Sequence, residues 1–180
     1  MPHRHRAAVL TVSDLGSRGQ RIDTAGPAVE ALLGEAGFEV AERALLPDEP
    51  DQIATLLRKW ADEADIALAV TAGGTGLSPR DRTPEATLAV IDYRVPGMEE
   101  AMRAASVVSV PTAMLSRAVC GVRGRTLIVN LPGSERGARE NLSVLLPVLG
   151  HACSSLRGDA EESADTHARL QGSQGSQGAL

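Results

Sequence analysis

The segment Ala72-Gly73-Gly74-Thr75-Gly76 is the sharpest chemical signal in the chain. Glycines admit positive φ, so successive backbone N–H groups can turn toward one point and form a nest for an anion. The Thr75 hydroxyl adds a further donor to a phosphate oxygen. No Gly-Lys-Ser/Thr follows, so this is not a Walker A loop, and Pro79 stands where a dinucleotide fingerprint needs its third glycine. A tight turn serving only the fold would use the same residues. Asp81 follows in Leu77-Ser78-Pro79-Arg80-Asp81-Arg82. A carboxylate beside an anion nest repels the anion unless a divalent cation lies between them. Mg2+ suits that place, being commonly held by one or two carboxylates plus substrate phosphates. Asp81 could instead cap the next helix or pair with Arg80 or Arg82.

The other candidates are weaker taken singly. Asp48, in Leu45-Leu46-Pro47-Asp48-Glu49-Pro50, follows a strand-like run, yet a solvated acid in a Pro-bounded turn reads the same. Ser13-Asp14 ends an apolar run: Ser13 could donate to a phosphate, and Asp14 could brace the loop behind it. Ser106, Ser116 and Asn130 are polar residues inside or beside apolar stretches, where such groups are often satisfied within a core.

These residues need a scaffold that gathers them, and the hydrophobic pattern supplies one. Ala7 to Ser13 reads as a buried strand, followed by a polar loop from Asp14 to Arg21 and a helix opening near Asp23 to Pro27. Phe38 to Leu46 reads as a second strand. Asp51 to Ala64 forms an amphipathic helix with Ile53, Leu56, Leu57 and Trp60 on one face. Ile66 to Thr71 is a continuous apolar run of the kind found in central parallel strands. Helices are predicted from Thr83 through Ile91 and from Met98 to Val107, then a strand from Arg125 to Leu131. A last helix runs from about Glu135 to about Leu149, with Pro147 near its end. Strands alternating with helices predict an α/β fold with a mostly parallel sheet covered on both faces. In such folds ligands gather at the C-terminal ends of the strands near the topological switch point. Ser13-Asp14, Gly73 to Gly76 and Asn130 to Ser134 all fall at strand ends.

Composition narrows the classes. The chain has 180 residues, 43% hydrophobic and 23% charged, which suits one domain with a sizeable core. Aromatic residues are 2%, so the core is aliphatic and few rings are present for stacking bases. The net charge is −5, and the segment from Gly158 to Leu180, with four acids against Arg169, contributes −3 of it. No basic stripe points to nucleic acid. Residues 1–6 read as a flexible arm, 7–157 as the domain, and 158–180 as a disordered acidic Gly-Ser-Gln tail. The two cysteines, Cys120 and Cys153, have no CxxC spacing, and no metal cluster is expected among the four histidines. With no signal-peptide pattern and no apolar run of spanning length, no membrane association is expected and a cytoplasmic location is.

Taken in order, the segments carry more. Thr11-Val12-Ser13-Asp14 with Asp23 and Gly26-Pro27, Leu46-Pro47-Asp48-Glu49, and Thr71 to Gly76 with Pro79-Arg80-Asp81 and Thr83-Pro84-Glu85-Ala86-Thr87 resemble the MoaB/Mog family of molybdenum cofactor biosynthesis. So do Val95-Pro96-Gly97, Pro111 to Arg117 and Asn130-Leu131-Pro132-Gly133, so the resemblance covers about Ala7 to Leu149. It implies a three-layer α/β/α sandwich, assembled as a homotrimer. The implied activity is that of a molybdopterin adenylyltransferase, a nucleotidyltransferase moving AMP from ATP to the phosphate of molybdopterin with release of pyrophosphate. The cofactor implied is Mg2+, assigned to Asp81 with Asp48 as second ligand or orienting group. The same resemblance makes Asp48 and Asp81 the essential acids and Gly73, Gly74, Thr75 and Gly76 the phosphate loop. It associates Thr75, Ser106, Ser116 and Asn130 with molybdopterin or nucleotide binding, and Ser13 and Asp14 are grouped with them as ligand-facing residues. A separate molybdenum insertase is the implied partner. Some MoaB proteins lack clear adenylyltransferase activity, so an inactive molybdopterin-binding carrier or scaffold is the alternative. Retention of both acids and of the whole Gly-Gly-Thr-Gly loop favours the enzyme.

Overall fold

A computed structural model describes residues 4–158. Gly158, the first residue of the expected tail, caps the last helix in a left-handed conformation, and residues 159–180 of that tail and 1–3 of the expected arm lie outside the described residues. Arg6 does not belong to an arm: it opens strand β1 (Arg6–Val12), and its guanidinium donates to the Ala64 carbonyl.

The sheet also contains β2 (Glu39–Leu46), β3 (Leu68–Ala72), β4 (Tyr93–Arg94), β5 (Cys120–Arg123) and β6 (Thr126–Leu131). Their order is β2-β1-β3-β6-β5-β4, with β2, β1, β3 and β6 parallel and β5 and β4 antiparallel at one edge. From β1 the chain moves outward one way to β2 and then the other way to β3, which places the switch point between β1 and β3.

Among the described residues the α-helices are α1 (Asp14–Ser17), α2 (Ala25–Glu35), α3 (Pro50–Asp62), α4 (Thr83–Leu88), α5 (Pro96–Val107) and α6 (Glu135–Arg157). Strand side chains alternate between faces. Ala7, Val9, Leu68, Val70, Leu127 and Val129 face α2, α5 and α6, while Ala8, Leu10, Ala69 and Ile128 face α3 and α4. These are the three layers expected from the sequence. The chain's one tryptophan, Trp60, is fully buried in the second layer, and its Nε1 donates to Glu42 at 2.6 Å.

Most boundaries shift by one or two residues, and three larger differences from the sequence reading each have a local reason. The loop after β1 begins as helix α1, because the Ser13 hydroxyl accepts from the Gly16 amide and caps it. The helix from Thr83 ends at Leu88, and Ala89 to Ile91 close it in a turn onto Glu85 and Thr87. Pro147 does not end α6, which continues to Arg157. A proline removes one N–H bond from the ladder, but Leu145, Leu149 and Cys153 line one buried stripe across it and hold the helix together. The hairpin-edge strands β4 and β5 and a short 3-10 helix at Pro111–Leu115 had no counterpart in the sequence reading. Among the described residues, no helix is long and apolar enough to cross a membrane.

Candidate active site

The C-terminal ends of β1, β2, β3 and β6 converge on the loop Gly73 to Gly76. Gly73 has φ +117 and sits so close to β1 that an added Cβ would overlap the Val12 carbonyl. At Gly74, φ +64, a Cβ would overlap Thr83 Oγ1 and come within 2.9 Å of Asp48 Oδ1. Only glycine allows this path. Carbonyls of the loop are engaged: Gly74 O accepts from Thr83 N–H, Thr75 O from Arg117 N–H at 2.9 Å, and Gly76 O from Arg117 Nε at 2.8 Å. With those carbonyls engaged, the amides of Gly74, Thr75 and Gly76 are the loop's candidate donors to an anion.

Arg117 clamps this loop. Besides Thr75 and Gly76, it donates to the Asp81 carbonyl and pairs with Glu85. Burial pushes the Glu85 carboxyl up, but the Arg117 guanidinium outweighs it and holds that carboxyl below its usual range.

Two cavities open on either side of the loop. One, of about 340 Å³, is lined by Ser13, Asp23, Asp48, Gly73, Gly74 and Asp81 among others. The second, of about 290 Å³, is lined by Thr75, Gly76, Arg103, Ser106, Ser116 and Asn141 among others. Ser134, the N-cap of α6, lines both. The sequence candidates thus divide. Both acids and the first half of the Gly loop fall in one cavity; Thr75, Gly76, Ser106 and Ser116 fall in the other.

Within the acidic cavity, Asp48 is 9% exposed, and its Oδ2 accepts from the Asp14 amide at 3.0 Å. Burial raises its carboxyl above the usual range, the nearby charges of Asp14 and Asp81 add to that, and the backbone bond with Asp14 opposes it. Asp81 Oδ2 accepts from the Ser78 amide at 3.0 Å. Two acids lining one cavity beside the Gly loop are a candidate donor set for a hard divalent cation. The hydroxyl of Thr83, fully buried against Gly74, has no hydrogen-bond partner among the described residues.

Three sequence candidates take places other than those assigned to them. Asn130 is fully buried and lines neither cavity: its Nδ2 donates to the Thr71 and Thr87 hydroxyls, both at 2.9 Å, and its Oδ1 accepts from Val119 N–H. It ties β3, α4 and β6 together beneath the site. Asp14 also lies outside both cavities, its carboxylate taken by Arg80 and the Asp48 amide. Ser13 lines the acidic cavity but has its Oγ committed to capping α1.

Sequence reasoning missed Arg103, Arg136 and Asn141 in the second cavity. Arg103 is aimed by the buried Glu99, which also takes a bidentate pair from Arg94 and the Cys120 amide. Asn141 donates to the Ser106 hydroxyl at 3.1 Å and the Gly137 carbonyl at 2.8 Å. The one available signal was a polar Asn on the apolar stripe of α6.

Residues 8–151 match the family described as "Probable molybdopterin binding domain". The chain belongs to that molybdopterin-binding family. Within it, the chain is 40% identical over 153 residues to molybdopterin adenylyltransferase of Helicobacter pylori strain J99, covering 84% of this chain and 87% of that one. It is also 40% identical over 167 residues to the molybdenum cofactor synthesis protein cinnamon of Drosophila melanogaster, using 92% of this chain but spanning only 28% of that relative. A molybdopterin biosynthesis enzyme MoaB from Thermus thermophilus has a similar structure, with a TM-score of 0.82 at 55% identity over 86% of this chain and 97% of that one. Both cavities and every candidate residue lie inside the part matched to the molybdopterin-binding family.

Proposed function

We propose that the chain is a molybdopterin adenylyltransferase, transferring AMP from ATP to the phosphate of molybdopterin and releasing pyrophosphate. The observation that carries this reading is the pair of cavities meeting at one Gly-rich wall, with two acids on one side and a mainly apolar pocket with polar handles on the other. A nucleotide fits the acidic side once its phosphates are accompanied by Mg2+, and a pterin fits the other. The molybdopterin phosphate then reaches the α-phosphorus at the loop between them.

The chemistry is an in-line displacement: an oxygen of the molybdopterin phosphate forms a bond to the α-phosphorus while the bond to the bridging oxygen of pyrophosphate breaks. Bringing two polyanions together is the main obstacle, so positioning and charge neutralisation supply most of the rate. The amides of Gly74 to Gly76 would bind the oxygens on which charge develops. Asp48 and Asp81 would hold Mg2+, which when bound neutralises phosphate charge. Arg117 fixes the loop from behind, and Arg103 and Arg136 offer positive charge to the anionic end of the pterin substrate.

The same reading makes ATP, molybdopterin and a separate molybdenum insertase the partners; the relative in which this domain occupies 28% of a longer molybdenum cofactor synthesis protein supports the last. Exposed Val108, Val110, Met114 and Leu115, beside the second cavity, support self-association, for which the homotrimer is the assembly proposed. A cytoplasmic location goes with two buried free thiols.

The test is adenylyl transfer with purified protein, molybdopterin, ATP and Mg2+, following pyrophosphate and adenylylated product, alongside Asp81→Ala. Turnover that falls at least a hundredfold in a folded Asp81→Ala variant is the expected result. Molybdopterin binding without turnover in the wild type would overturn the enzyme and leave a carrier.

A further inference from the structure

Asp14 and Asp48 stand at the ends of the neighbouring parallel strands β1 and β2 and grip one another reciprocally. Asp14 N–H donates to Asp48 Oδ2 at 3.0 Å, and Asp48 N–H donates to Asp14 Oδ1 at 3.1 Å. Carboxylates brought this close repel, and Arg80 offsets the repulsion. Its Nε and Nη2 fork onto the two oxygens of Asp14, each at 3.0 Å, and Nη2 also reaches Glu49 at 2.7 Å. Arg80 immediately precedes Asp81, so the fork fastens the loop bearing one acid to the strand ends bearing the other.

We propose that Asp14 and Arg80 are positioning residues which fix the separation of Asp48 and Asp81 for a divalent cation carried by a nucleotide, without touching either reactant. The inference rests on reading the acidic cavity as the nucleotide site. Stability does not account for the arrangement, because exposed ion pairs contribute little and the Arg80 side chain is 51% exposed. Geometry does. A planar guanidinium meeting a carboxylate with two parallel bonds fixes distance and orientation, and the point charge of a lysine cannot. The reciprocal amide bonds then pass that orientation to Asp48, while the next peptide unit passes it to Asp81.

The opposing account has Arg80 leave Asp14 when nucleotide binds and contact the phosphates itself. The two are separated by titrating the full chain with Mn2+ in the presence of a non-hydrolysable ATP analogue, reading free Mn2+ by electron paramagnetic resonance. The proteins compared are wild type, Arg80→Lys, Asp14→Asn and the double variant. Positioning predicts that each single change weakens Mn2+ binding about tenfold and that the double variant is no weaker than the worse single one, as for residues acting as a unit. Thermal midpoints should stay within a few degrees of the wild type. Normal Mn2+ binding by Asp14→Asn beside weakened binding by Arg80→Lys would overturn the proposal in favour of direct phosphate contact, and so would additive losses. Normal binding by both variants would overturn it outright. Failure of the wild type to bind Mn2+ with the nucleotide analogue would overturn the nucleotide reading of the cavity, and this inference with it.

Discussion

Asp48 is held where a carboxylate is uncomfortable. It is buried, two other acids lie near it, and its folded-state carboxyl is raised above the ordinary value. The unfolded chain therefore releases this proton at lower pH than the folded chain does. Stability falls as pH rises through the window from about 4, the unfolded value, up to the raised folded value, and the cost persists at neutral pH. Asp48→Asn keeps a carbonyl oxygen for the Asp14 amide and removes the charge. In metal-free buffer at pH 7 it should raise the thermal midpoint by about 2–4 °C, an increment on the order of 1 kcal/mol. The gain should vanish below about pH 4, where both side chains are neutral. Turnover should fall at least a hundredfold in the same variant. Scanning calorimetry across pH beside the adenylyl-transfer assay checks both; an unchanged midpoint at pH 7 would show that the charge is already compensated. Legibility differed sharply among the acids. The Pro-bounded turn put Asp48 at a strand end, but nothing in the order of residues shows that Asp14 braces it rather than faces a ligand. That distinction depends on Arg80, 66 positions away in sequence.

Among the elements, α6 carries the clearest prediction. Pro147 lies on an exposed turn inside it and withholds one N–H from the ladder. Pro147→Ala restores the donor on a face that meets no core and should stabilise the protein by about 1 kcal/mol or more, measured by urea unfolding. A decrease would mean that the proline sets a bend which the packing of Leu145 and Leu149 requires. The same helix shows where sequence reading stops. A proline signals an end only when the residues beyond it have nothing to bury, and the stripe through Cys153 overrides the signal. Central strands β1, β3 and β6 were legible because burial on both faces leaves continuous apolar runs. Strands β4 and β5 were not, since β4 is two residues that become a strand only by pairing with β5. The glycine loop announced itself through composition, whereas its clamp did not. Arg117 acts on Gly76, Asp81 and Glu85, at sequence separations of 41, 36 and 32.

For the whole molecule, the two cysteines are reporters of cooperativity. Cys120 and Cys153 are fully buried in the same core layer. Burial pushes both thiols up to about 12. Thiolate is the reactive form, so a disulfide-exchange reagent at pH 8 should leave the native protein unlabelled and modify both cysteines in one urea transition, coincident with loss of helical circular dichroism. Labelling of Cys153 at lower urea than Cys120 would reveal that the far end of α6 opens separately from the sheet.

That far end has a practical meaning. Helix α6 is capped by Ser134, on the rim shared by both cavities, and runs 23 residues from Glu135 to Arg157, where a bond of 2.7 Å to Asp65 fastens it. At 1.5 Å per residue it is a strut about 35 Å long. Whatever is grafted after Gly158 is tethered at the opposite pole from the cavities. A fluorescent protein or surface-immobilisation tag attached there should leave substrate access and turnover unaffected.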